Sequence, residues 1–67
     1  MSNLHRTLRK VSRIAKLETE LHPVEVKERE IGESTKGTIR AFQTKYKLPV
    51  TGELDPVTYE RMVSVAN

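Results

Sequence analysis

A chain of 67 residues, 36% hydrophobic, is enough for one small domain, which buries roughly 60% of the surface its unfolded form exposes. Twelve Lys and Arg against nine Asp and Glu give a net charge of +3, compatible with anionic partners without selecting one. The absence of cysteine excludes a disulfide framework and thiolate metal sites, no apolar run approaches the ~18 residues of a membrane span, and the basic N-terminus lacks the apolar stretch of a signal peptide.

Leu4, Leu8, Val11, Ile14 or Ala15, and Leu17 recur with helical period and predict a first helix over about residues 3–16, with Ser2 or Asn3 as N-cap. Arg6, Arg9, Lys10, Arg13 and Lys16 occupy its other face, and no acidic residue precedes Glu18. The charge then reverses: Glu18, Glu20, Glu25, Glu28, Glu30 and Glu33 stand against Lys27 and Arg29. His22-Pro23 predicts a break followed by a short helical turn, with Leu21, Val24 and Ile31 on the core. Thr35, Thr38, Ile39, Phe42 and Gln43 share one face of the next helix. In the following loop Pro49 stops the helix and Gly52 can take a positive φ. Asp55-Pro56 opens the last helix, as N-cap and first helical residue.

The expected fold is therefore all-α, a small three-helix bundle with a short extra helical turn between its first and second helices. Residues 1–67 form one domain, since no repeat, low-complexity tract or Gly/Ser-rich linker divides them. The expected core is Leu4, Leu8, Val11, Ile14, Leu17, Leu21, Val24, Ile31, Ile39, Phe42, Tyr46, Leu48, Val50, Leu54, Met62 and Val65, with Phe42, the sole phenylalanine, at its centre.

No catalytic constellation is expected. His5 and His22 lack any metal-ligand spacing, which leaves them exposed or capping roles. Glu25, Glu28 and Glu30 belong to a solvated helical face. No serine sits in a nucleophile motif and no glycine-rich phosphate loop exists, so neither catalytic residues nor a metal or cofactor is expected. A pI near 9.5 and the basic first helix raise nucleic-acid binding. Against it, the best-defined helix pair is joined by LPVTGEL rather than a tight turn, and the basic run adjoins an acidic segment.

Gly32, Thr35, Thr38, Ile39, Phe42, Gln43, Leu48, Pro49, Val50, Thr51, Gly52, Leu54, Asp55 and Thr58 form the ordered string G-x-x-T-x-x-T-I-x-x-F-Q, a gap, then L-P-V-T-G-x-L-D-x-x-T. In this string the chain resembles the peptidoglycan-binding-domain-like family. The likeness extends more loosely to Leu4 and Leu8, as the opening helix, and to Glu25, as the acidic residue of the middle segment. Ile31 replaces the aromatic often found before the glycine. The resemblance implies a noncatalytic, bacterial or phage module that binds cell-wall peptidoglycan, through glycan or stem peptide. It would tether a linked catalytic or toxin domain of its parent protein, at the cell envelope or secreted with that parent. The alternative is a structural or protein-interaction domain of the same fold that binds no glycan.

Gly32, Thr35, Phe42, Gln43, Gly52, Asp55 and Thr58 are expected as packing residues, caps, turn formers and loop clamps. The candidate ligand contacts are Arg40, Lys47, Thr51, Glu53 and Tyr59, which flank the loop without filling the core.

Overall fold

The computed structural model describes residues 4–67, and every regular element among them is an α-helix. These are α1 (Leu4–Ala15), α2 (Pro23–Glu28), α3 (Glu33–Lys45) and α4 (Pro56–Ala66). Three main helices and one short one thus make up an all-α domain. The expected N-caps Ser2 and Asn3 lie outside the described residues.

The first helix is the hub, because both α3 and α4 pack on it. Leu8 and Val11 from α1, Ile39 and Phe42 from α3, and Met62 from α4 form the fully buried apolar cluster. Leu4, Leu17, Leu21, Tyr46, Leu48, Leu54 and Val65 close around it, each partly exposed. The Phe42 and Tyr46 rings lie 4.7 Å apart between centroids, and the Arg61 guanidinium stands 5.8 Å from the Tyr46 centroid. Tyr46 therefore links the buried aromatic to a solvated cation.

Four expected core residues are instead exposed: Ile14 (48%), Val24 (54%), Ile31 (48%) and Val50 (54%). On α1 the buried line runs His5, Leu8, Val11, Ala15. At about 100° per residue Ala15 returns to within about 20° of Leu8, whereas Ile14 falls about 120° away. On α2 Val26 is half-buried and Val24, about 200° around the helix from it, faces solvent. Ile31 and Val50 lie in connections, where no helical period fixes the side-chain direction.

The helix ends share a device that composition hides. Lys16, Arg29 and Lys47 follow α1, α2 and α3 with φ of 55°, 57° and 57°. Beyond each, an N–H reaches back to the last turn: Leu17 to the Ser12 carbonyl at 2.9 Å, Glu30 to Glu25 at 2.9 Å, Leu48 to Gln43 at 2.8 Å. This is the left-handed stop that usually employs glycine, here built three times on a cationic residue.

Candidate ligand-binding site

The loop from Leu48 to Asp55 is held by the Gln43 amide. Gln43 is fully buried on α3. Its Oε1 accepts from the Thr51 and Gly52 N–H groups, both at 3.0 Å. Its Nε2 donates toward the Thr51 hydroxyl, the Glu53 carbonyl and the Thr58 hydroxyl, each at 3.0 Å. One side chain thereby fixes the loop to α3 and to the first turn of α4. Gly52 takes a φ of 74°, and a Cβ there would come within 3.0 Å of Arg40 Nη1, so the Arg40 side chain lies across it. Asp55 caps α4, its Oδ1 accepting from the Thr58 N–H at 3.1 Å and its Oδ2 lying 3.2 Å from the Thr51 hydroxyl. The Thr58 hydroxyl and N–H lower the Asp55 pKa, more than partial burial raises it.

A second clamp secures the other end of α3. Glu25 Oε1 accepts from the Gly32 N–H at 3.0 Å, the Thr35 N–H at 2.9 Å and the Thr35 hydroxyl at 2.7 Å, and Oε2 accepts from the Ser34 N–H at 3.2 Å. The carboxylate satisfies the donors that open a helix and meets its positive dipole end. Its pKa is lowered to about 2 by the Ser34 and Thr35 hydroxyls first, then by their backbone N–H groups, against partial burial. Glu25 thus departs from the solvated face expected of Glu25, Glu28 and Glu30; a Cβ on Gly32 would fall 2.7 Å from its carboxyl carbon.

His5 joins this clamp from α1. It is 2% exposed, with Nε2 at 2.8 Å from the Glu30 carbonyl and 3.1 Å from the Thr35 hydroxyl. A carbonyl only accepts, so Nε2 carries the proton, and the Thr35 hydroxyl accepts from it while donating to Glu25. The exposed or capping role expected for His5 gives way to burial, because the Glu30–Thr35 turn supplies polar partners that spacing on α1 cannot reveal. His22 does cap: its Nδ1 accepts from the Val24 N–H at 3.3 Å at the start of α2. Among the described residues no three His, Asp or Glu side chains group to hold a metal ion.

Between the start of α3 and the clamped loop lies an open cleft of about 430 Å³, bordered by Ile31, Lys36, Ile39, Gly52, Glu53, Leu54 and Asp55. Of the five candidate contacts, Glu53 borders this cleft and Arg40 covers Gly52 beside it. The Thr51 hydroxyl is engaged within the loop by Gln43, Glu53 and Asp55. Lys47 holds the left-handed stop of α3. Tyr59 borders a different, smaller cleft of about 240 Å³ between α1 and α4, with Leu4, Thr7 and Met62. Lys36 and Ile31 are the exposed cleft residues that sequence reasoning left out of the candidate contacts. The only available signal was their position on either side of Gly32.

The family model described as "Putative peptidoglycan binding domain" matches residues 14–62. No curated protein and no solved structure matches the chain.

Proposed function

The chain belongs to the peptidoglycan-binding domain family, and from that premise we propose that it is a noncatalytic module holding a partner domain of its parent protein on the bacterial cell wall. The family match carries this reading. Clefts supply the means: a groove bordered by exposed Ile31 and the Gly52–Leu54 backbone, with Lys36 and Arg40 beside it, offers apolar surface, backbone polar groups and cations to a glycan-peptide polymer. Tethering raises the local concentration of a linked domain at an insoluble substrate, so modest affinity suffices. The carboxylates that stand out, Glu25 and Asp55, are committed to helix N-termini and are held ionised, which suits neither to donate a proton near neutral pH.

Sedimentation with purified sacculi tests this. The domain should pellet with the wall and release no soluble fragments. Retention should survive in part near 1 M salt, where a Debye length of ~3 Å removes purely electrostatic adsorption. Lys36→Ala and Arg40→Ala should weaken it at an unchanged fold. Pelleting no better than a charge-matched basic protein transfers the assignment to a structural domain that binds no glycan.

A further inference from the structure

We propose that the cationic face of α1 is a second binding site, which takes a linear phosphodiester polymer by its phosphates; this rests on the wall-binding function above only for where such a polymer is met. Arg6, Arg9, Lys10 and Arg13 are all exposed and, with Val26 of α2, border one open cleft of about 630 Å³. Among the described residues no carboxylate pairs with Arg9, Lys10 or Arg13. Arg13 stands four positions from Arg9 and three from Lys10, so these like charges are neighbours on the helix and repel one another. No acidic residue of α1 relieves them. A polyanion from outside does, which gives the free face a standing affinity for one.

The composition of the face sets the ligand class. The aromatic residues of the chain are Phe42, Tyr46 and Tyr59, and none of them borders this cleft, so a nucleic acid finds no ring on which to stack a base. Val26 alone is apolar among the bordering residues, too little surface to seat a lipid chain or a peptide side chain. The apolar face of α1 cannot enter a bilayer, because Leu8 and Val11 are buried in the core. Exposed ion pairs taken singly contribute little, so one carboxylate or one free phosphate is held weakly. A polymer charged in every unit gains differently, since each phosphate neutralised releases condensed counterions. The row from Arg6 to Arg13 runs about 10 Å along the helix at about 1.5 Å per residue, long enough to meet successive units of one strand. The guanidinium forks of Arg9 and Arg13 match the paired non-bridging oxygens of a phosphodiester. All four cations precede residue 14, where the family match begins, so that match does not account for them. Glu20 borders the adjoining cleft and not this one.

Fluorescence anisotropy of labelled poly(glycerol phosphate), titrated with the whole chain between about 50 and 200 mM salt, tests the assignment. Affinity should fall with salt at a log-log slope of about −2, the value for three phosphates of a single strand. Arg9→Gln with Arg13→Gln should bring the slope to about −0.7 and weaken binding about tenfold or more at the lower salt, with a melting temperature no lower than the wild type's. Lys36→Ala with Arg40→Ala should keep polymer binding while weakening retention on sacculi. Equal affinity for poly-glutamate of the same charge overturns the inference, as a mere cationic patch. Tighter binding to an oligothymidylate of the same charge overturns it in favour of a nucleic acid, and capture by phosphatidylglycerol vesicles without binding of the soluble polymer overturns it in favour of a membrane. Sacculi that carry phosphodiester polymers, compared with the same sacculi stripped of them by hydrofluoric acid, separate the two functions. Equal retention on both overturns this inference and leaves the peptidoglycan binding proposed above standing. Retention lost completely on stripping, with the soluble polymer still bound, overturns peptidoglycan binding and leaves this inference standing.

Discussion

The two ends of α3 are secured by different chemistry, and the backbone groups on offer explain the choice. At its start the chain presents the Gly32, Ser34 and Thr35 N–H groups and the Thr35 hydroxyl, and Glu25 accepts from all of them. The loop that Gln43 grips presents the Thr51 and Gly52 N–H groups together with the Glu53 carbonyl. A carboxylate answers a set of donors; a mixed set needs an amide, which donates and accepts at once. One clamp is therefore itself a titrating charge, whereas the other is a neutral amide that meets a carboxylate, Asp55, only through Thr51 and Thr58.

Substitution can break that comparison. Phe42 precedes Gln43 on α3 and is fully buried, so Phe42→Ala should cost about 3–5 kcal/mol, releasing both clamps in one cooperative unfolding transition. Separate transitions at the two ends of α3, seen by hydrogen exchange, would show that the clamps belong to independent units. Gln43→Ala should cost less, about 1–3 kcal/mol for the orphaned Gly52 N–H alone, and denaturant midpoints should show that loss equally at pH 7 and pH 3.

The Glu25 clamp should behave oppositely. Its folded pKa of about 2 lies below the ordinary 4.5, so folding favours the ionised form. The stabilisation is complete above about pH 4.5 and is lost as the pH falls toward 2. Melting temperatures across that window should fall more steeply for the wild type than for Glu25→Gln. A residual slope should remain, because the Asp55 pKa is lowered too. Parallel curves would show that Glu25 is not the titrating clamp. The smallest effect belongs to neither clamp: Gly37, inside α3 with no atom within 4 Å of an added Cβ, should tolerate Gly37→Ala with a gain of about 0.5–1 kcal/mol in chemical denaturation.

Legibility from sequence tracked periodicity and local caps. The buried face of α3 follows directly from the spacing of Thr35, Thr38, Ile39, Phe42 and Gln43, and Asp55-Pro56 marks where α4 starts. Gly52 stands at a turn with positive φ. What escaped depends on contacts distant in sequence or on ambiguous local chemistry. His5 finds its partners 25 and 30 residues away, and the Glu25 carboxylate acts seven to ten residues ahead of itself. The left-handed geometry of the helix ends is hidden because Lys16, Arg29 and Lys47 stand where glycine would have announced it. Of the candidate site, Glu53 borders the loop cleft and Arg40 lies beside it across Gly52, while Tyr59 falls elsewhere. Flanking a loop in sequence does not determine which side of it a side chain occupies.

Because α1 supplies the platform for both α3 and α4, the order of synthesis runs against the order of packing. Of the four helices described, α1 is made before the others, and its partner α4 after them. Leu8 and Val11 must wait for Met62 before their cluster is complete, so the local hairpin of α3, loop and α4 can organise early while docking of α1 closes the longest loop in the chain. Until α4 docks, the apolar face of α1 lacks the cover that Met62 gives it, and the cations on the opposite face, Arg9, Lys10 and Arg13, oppose pairing of that face with a second copy.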